Sequence, residues 1–151
     1  MSSWQPPSQI RAVAIGWAWR GNEVLLVETV ESDGNLRGYR PPGGGIEFGE
    51  HSAEALKREF LEELGADISI QGPPVILENQ YWMNGAKGHE VIFTYPVTIL
   101  SDHVFAQDSH AITEPDGTVD EVKWLHIDAV LKRDVALLPD GLINHLDQLA
   151  H

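Results

Sequence analysis

The chain has 151 residues, no cysteine, and ten Lys+Arg against 23 Asp+Glu, a net charge of −13. Its length suits one domain, which would bury roughly 68–70% of its unfolded surface, and 42% hydrophobic with 22% charged residues is ordinary for a soluble globular protein. The acidity excludes a broad nucleic-acid face and repels small phosphates unless cations bridge them, while the lack of cysteine excludes disulfides, thiolate metal sites and a cysteine nucleophile.

Residues 1–9 are polar with two prolines and are expected to form a flexible tail ahead of a single domain. From Arg11 to Arg20, Val13, Ile15, Trp17 and Trp19 alternate with Ala12, Ala14, Gly16 and Ala18, which is strand periodicity. Ala12–Trp19 is apolar but far short of the ~18 residues that span a bilayer. With no basic segment before it and no cleavage site after it, no signal peptide is expected. The cytoplasm is the expected location. A turn at Arg20–Glu23 leads to a strand over Val24–Glu28, and the polar stretch Thr29–Gly38 predicts a loop. Arg40-Pro41-Pro42-Gly43-Gly44-Gly45 cannot be helical.

The period then changes. Ala53, Leu56, Phe60 and Leu64 recur every three or four residues, giving a helix with one apolar stripe. Ser52 suits its cap and Gly65 its left-handed stop. A short strand is expected over Asp67–Gln71. A hairpin of Val75–Met83 and His89–Leu100 follows, with Pro96 predicting an edge or a bulge. Ser101–Asp120 predicts a long polar loop, Glu121–His126 a strand, and Ile127–Arg133 and Gly141–Ala150 helices. The seven histidines show no zinc-ligand spacing.

The helix carries the chemistry. Glu59, Glu62 and Glu63 stand at i, i+3, i+4, within about 100° of arc. Like charges at this spacing cost roughly 0.2–0.5 kcal/mol per pair. A solvated acidic surface is the bland explanation. The glycine-rich turn beside them favours another, because it lets backbone approach a ligand closely. Clustered carboxylates are hard oxygen donors for Mg²⁺ or Mn²⁺, ions that also prefer phosphate oxygens.

This segment resembles the Nudix box. The pattern starts at Gly44, reaches Glu50 and continues as Arg58-Glu59-Phe60-Leu61-Glu62-Glu63-Leu64-Gly65-Ala66, meeting every polar and glycine position over 23 of 151 residues. Phe60 replaces an aliphatic residue and Ala66 is small; both are packing positions. The resemblance implies an α/β fold, the Nudix α/β/α sandwich with a mixed central sheet. It also implies a divalent-metal-dependent hydrolase of a nucleoside diphosphate linked to another moiety, with Mg²⁺ or Mn²⁺ as cofactor. By position Glu59, Glu62, Glu63 and the Gly43 carbonyl would be metal ligands. Arg58 would orient Glu59. Glu50 is a weaker ligand or a clamp on Arg58. The general base is left to Glu59 or to an acid outside the box. Glu114 comes first among these, with Asp116, Asp120, Glu121 and Glu90 behind it.

Arg40 is a candidate phosphate contact. Tyr81, Trp17, Trp19 and Trp82 are candidates to stack on a base. The proline that marks ADP-ribose hydrolases in this family is absent, since Gln80 and Tyr81 occupy its positions. A tyrosine there occurs in dinucleoside polyphosphate hydrolases. Nucleoside triphosphates, dinucleoside polyphosphates and nucleotide sugars stay open as substrates. The expected partner is a small nucleotide-type diphosphate, with no nucleic-acid polymer and no membrane, and a homodimer is left open. The alternative is a catalytically silent Nudix-fold nucleotide-binding regulator. Such proteins often lose box carboxylates, and this chain keeps them all.

Overall fold

A computed structural model describes residues 3–114 and 116–150. Met1 and Ser2 of the expected tail lie outside the described residues. Among the described residues nine strands form one sheet. They are β1 (Ile10–Arg20), β2 (Glu23–Val30), β3 (Leu36–Arg40), β4 (Gly43–Gly45), β5 (Ile68–Ile70), β6 (Val75–Met83), β7 (Ala86–Ile99), β8 (Ser109–Thr113) and β9 (Val119–His126). Helix α1 spans Ser52–Leu64 and α2 Ile127–Leu131, and a 3₁₀ helix runs over Leu142–Leu149.

The sheet order is β5-β7-β1-β2-β9-β8, with β6 beside β7, β3 beside β2 and β4 beside β1. β1 and β7 are parallel from Ile10↔His89 to Ala18↔Val97, and the other pairs are antiparallel, so the sheet is mixed as expected. β1 meets β2 only at Trp19↔Val24 and Arg20↔Glu23. Beyond that turn the two halves of the sheet diverge, and a cleft lies between them.

Core packing explains the β1 alternation. Its small side chains face α1, where Ala14 and Ala18 pack with Leu56 and Phe60. A Cβ on Gly16 would stand 2.8 Å from Phe60 Cε1, so only glycine fits beneath that ring. Trp17 faces the opposite way, in a second core with Tyr39, Val130, Leu142 and Leu149. Trp19 Nε1 donates to the Leu149 carbonyl at 3.0 Å and anchors the C-terminal helix. Helices therefore cover both sheet faces, giving the α/β/α layering.

Several elements differ from expectation. The loop predicted over Thr29–Gly38 shrinks to residues 31–35, because β2 continues to Val30 and β3 begins at Leu36. The Ser101–Asp120 stretch contains a 3₁₀ turn at Asp102–Val104 and strand β8. The β6–β7 turn is only Asn84-Gly85, both with positive φ (51° and 80°), the pattern of a tight primed hairpin turn. Pro96 makes neither an edge nor a bulge. It sits where β7 changes partner, after β6 ends at Val75↔Thr94 and before β5 begins at Ile70↔Val97, so no ladder bond needs its missing N–H. The Ile127–Arg133 helix ends at Leu131, and the Gly141–Ala150 helix is 3₁₀ rather than α. Residues 3–9 form no helix or strand, yet they are tied down by hydrogen bonds between Gln5, Trp4 and Asn84.

Candidate active site

Helix α1 is capped one residue earlier than expected. His51 Nδ1 accepts the Ala53 N–H at 3.1 Å, while the Ser52 hydroxyl bonds the Tyr95 hydroxyl at 2.7 Å. Gly65 ends the helix in the left-handed region (φ 59°), its N–H returning to the Leu61 carbonyl. Ala55, Leu56, Phe60 and Leu64 are buried against the sheet. This rotation turns Glu59, Glu62 and Glu63 into the cleft.

Arg58 ties the box together. Its Nε and Nη2 donate to the two Glu50 oxygens at 2.8 and 3.0 Å, a bidentate pair. Nη2 also donates to the Gly45 carbonyl at 3.0 Å, and Nη1 to Glu59 Oε1 at 3.0 Å and Glu62 Oε2 at 3.3 Å. The Arg58 bonds hold the Glu50 carboxyl below the usual glutamate range, assisted by the Glu47 N–H. Of the two readings of Glu50, the geometry is that of the clamp.

The glycine strand closes this side. Ala14↔Gly44 pairs within the ladder, flanked by Gly16 N–H to Pro42 O and Ile46 N–H to Ala12 O. Alternation therefore turns the Gly43 and Gly45 carbonyls away from β1, and Gly45 spends its own on Arg58. Gly43 has φ 150°, and a Cβ there would strike the Ala14 carbonyl at 2.0 Å. A Cβ on Gly44 would stand 2.6 Å from Glu59 Cδ, so the strand backbone packs directly on that carboxylate.

The cleft has a volume of about 740 Å³. Glu59, Glu62 and Glu63 share one end with Arg40, with Glu114 from the β8–β9 turn and with Asp120 from β9. Burial raises the Glu63 pKa well above the ordinary range; Arg40 opposes the shift, while Glu114 and Glu59 add to it. Burial likewise raises Glu114, and a hydrogen bond to the Asp120 carboxyl adds to the rise. Val13, Ile15 and Ile92 form a small buried cluster at the cleft floor. Tyr81 also lines the cleft, with its hydroxyl donating to Glu90 Oε2 at 3.2 Å.

The cleft thus gathers Glu59, Glu62, Glu63, Glu114, Arg40 and Tyr81, with Asp116, Asp120 and Glu90 from the wider set. Arg58 supports them from beside the cleft. Glu121 instead lies near Lys123, at 3.8 Å. Trp17 is fully buried, Trp19 packs edge-on against it at 5.9 Å, and Trp82 points to the opposite face of β6 from Tyr81. Trp4, Arg11 and Arg37 also line the cleft, and no sequence pattern marked them. Trp4 falls in the supposed tail, Arg11 at a strand start and Arg37 in the supposed loop.

The donor set suits a hard divalent cation: three carboxylates on one helix face, beside a strand whose Gly43 carbonyl is turned off the ladder. The raised pKa of Glu63 reflects carboxylates crowded together out of water, a strain that a cation would relieve. Among the described residues no three His, Asp or Glu side chains converge closely enough to hold an ion as they stand. Arg58 draws Glu59 and Glu62 toward itself.

No curated protein matches the chain. Solved structures do. The E. coli ORF135 protein superposes with a TM-score of 0.58 at 20% identity, over 93% of this chain and 91% of that one. A Nudix hydrolase from Nitrosomonas europaea gives 0.55 at 20%, over 93% and 87%. The MutT Nudix hydrolase from Burkholderia pseudomallei gives 0.52 at 21%, over 80% and 86%. At these identities the likeness establishes the fold. The NUDIX domain family model matches residues 9–146, so the chain belongs to the Nudix family, and with its box complete it is one of that family's hydrolases of phosphoanhydrides.

Proposed function

We propose that this protein hydrolyses the diphosphate linkage of a nucleoside diphosphate joined to another group, with Mg²⁺ or Mn²⁺ as cofactor. The observation that carries the reading is the delivery of the box carboxylates Glu59, Glu62 and Glu63 into one cleft with Arg40 and Glu114. Glu59, Glu62, Glu63 and the Gly43 carbonyl would hold the metal. A bound divalent ion supplies charge neutralisation at the phosphate oxygens and a water of lowered pKa.

The chain's own groups do the rest. Arg40 sets a fixed positive charge among the acids, where it attracts a phosphate oxygen. Arg58 holds Glu59 by a charge-assisted bond, so the carboxylate need not reorganise during reaction. Glu114 is the base we favour. Glu59 is engaged by Arg58 and packed by Gly44, whereas Glu114 faces the cleft with Asp120 beside it. The water proton passes to a Glu114 oxygen as the new P–O bond forms and the bridging P–O bond breaks.

The test is a panel of nucleoside triphosphates, dinucleoside polyphosphates, nucleotide sugars and ADP-ribose. The expected result is cleavage inside the phosphate chain that needs Mg²⁺ or Mn²⁺, releases a nucleoside phosphate and places one oxygen from labelled water in a single phosphate product. Glu62→Gln and Glu63→Gln should each lose most activity while keeping the fold. Equal turnover in excess EDTA, or cleavage outside a phosphoanhydride, overturns the reading.

A further inference from the structure

We propose that two copies of this chain join edge to edge along β6, antiparallel, about a two-fold axis at Asn79. The inference is independent of the hydrolase reading. Among the described residues β6 pairs with β7 alone, so its far side is a sheet edge. The Met83↔Ala86 pair closes a two-residue turn and exchanges both its hydrogen bonds across the hairpin. Odd-numbered residues of β6 therefore bond β7, and the N–H and C=O groups of Ile76, Glu78, Gln80 and Trp82 point outward. Among the described residues one of these groups has a partner, the Trp82 carbonyl, which accepts Arg37. A carbonyl has a second lone pair, so that group stays available.

Natural edges are blunted by proline, lysine, bulges or shortness. β6 has none of these over its nine residues, which keep an unbroken register with β7. One register suits pairing with itself. An axis between two residues sets outward groups against inward ones. An axis at Leu77 or before runs the ladder into Pro74, which has no N–H. An axis at Glu78 opposes that carboxylate with its own copy. An axis at Gln80 or beyond leaves Ile76 with no strand residue opposite. An axis at Asn79 uses all nine residues. Ile76 then faces the partner's Trp82, Glu78 faces the partner's Gln80, and on the other face Leu77 meets the partner's Tyr81. Apolar meets apolar, and the one carboxylate meets an amide.

The surroundings favour a second copy over another partner. A chain of charge −13 repels its own copy wherever acids face each other. On the outer face of β6 the acid is Glu78, and His89 already bonds it at 2.7 Å. Ile76 and Trp82 leave 57% and 63% of their surface in water there. Alternation puts Val91 and Phe93 of β7 on the same face, both half-buried. This strip is apolar and nearly uncharged, with no acidic cluster to attract a basic partner. Asn79 and Tyr81 line the cleft, so the partner's Leu77, opposite Tyr81, stands at the cleft rim.

The test uses the full chain, which has no cysteine, so a single introduced thiol reports on its own copy. Sedimentation from micromolar to near-millimolar protein should show a monomer–dimer equilibrium. Residue 79 falls at a non-hydrogen-bonded pair of the new ladder, where Cα atoms stand about 4.5 Å apart, within disulfide reach. Asn79→Cys should cross-link on mild oxidation about 10-fold or more faster than Thr98→Cys, because pairing raises the local thiol concentration. Thr98 is exposed on β7, beyond the stretch that β6 covers. Gln80→Pro removes an outward N–H that β7 does not use and should weaken the dimer about 10-fold or more through lost hydrogen bonds. Ile76→Lys puts a charge on the edge and should weaken it equally with an unchanged circular dichroism spectrum, which covers misfolding of the proline variant. Gln80→Lys faces the partner's Glu78 and should tighten the dimer at low salt, while Gln80→Glu should loosen it. A chain that stays monomeric throughout overturns the proposal. So does a dimer that survives both Gln80→Pro and Ile76→Lys, since it uses another surface. Cross-linking of Asn79→Cys no faster than that of Thr98→Cys overturns the edge pairing, and loosening by Gln80→Lys overturns the register.

Discussion

Arg58 spends its guanidinium on Glu50, Glu59, Glu62 and the Gly45 carbonyl, and so links the loop, the helix and the glycine strand. Lysine would keep the charge but lose the planar fork, and could not serve Glu50 and Gly45 together. Arg58→Lys should therefore cost about 1–2 kcal/mol, a charge-assisted network discounted for partial exposure, and activity should fall at least 10-fold. Unchanged activity would make Arg58 a surface residue. Glu50 gives a pH signature. Its folded pKa lies below the unfolded value, so its contribution is fully present above the ordinary glutamate range. That contribution is lost as pH falls through the depressed folded value. Glu50→Gln should lower Tm at pH 7, and the gap to wild type should close in acid. A gap that is constant down to pH 3 would show that the Arg58–Glu50 pair is not its source.

At the scale of elements, two glycines of similar tightness separate packing from chemistry. Gly16 lies under Phe60 in the core, and Gly44 lies on the Glu59 carboxylate. Overpacking a core costs about 1–3 kcal/mol, so Gly16→Ala should lower Tm by several degrees and leave kcat nearly intact in the folded fraction. Gly44→Ala should instead push Glu59 aside and cut kcat strongly at small cost in Tm. The opposite assignment, measured by melting and steady-state kinetics on both variants, would show that β4 is only structural. Helix α1 was legible in the sequence because burial of one stripe imposes a three-to-four period and Gly65 stops it. Strand β8 was not. Ser109-His110-Ala111-Ile112-Thr113 has only Ile112 buried, so its ladder bonds to β9 left almost no hydrophobic trace. The β2–β3 region failed for the same reason. The carboxylates of the cleft were legible because Glu59, Glu62 and Glu63 share one helix. Trp4 as a cleft residue was not, because side-chain bonds across about eighty residues of chain leave no local period.

The net charge of −13 acts on the whole molecule, and the cleft concentrates it. Self-repulsion of this kind opposes compaction and draws cations without any specific site. A metal reading must therefore be separated from plain screening. An ion that binds only the native state stabilises it by RT ln(1 + [L]/Kd), about 1.4 kcal/mol at ten times Kd. For a chain of this size 1 kcal/mol moves Tm by roughly 2–4 °C. Millimolar Mg²⁺ should raise the wild-type Tm by a few degrees more than NaCl of equal ionic strength, since screening depends on ionic strength and a site does not. Glu62→Gln and Glu63→Gln should lose the Mg²⁺ excess and keep the NaCl response. Asp67→Asn, an acid outside the cleft, lowers the net charge as much and should keep both. Melting curves of the four proteins in the two salts decide the matter. If Asp67→Asn loses the Mg²⁺ excess as fully as the box variants do, the ion is answering the overall charge, and Glu62 and Glu63 are not its ligands.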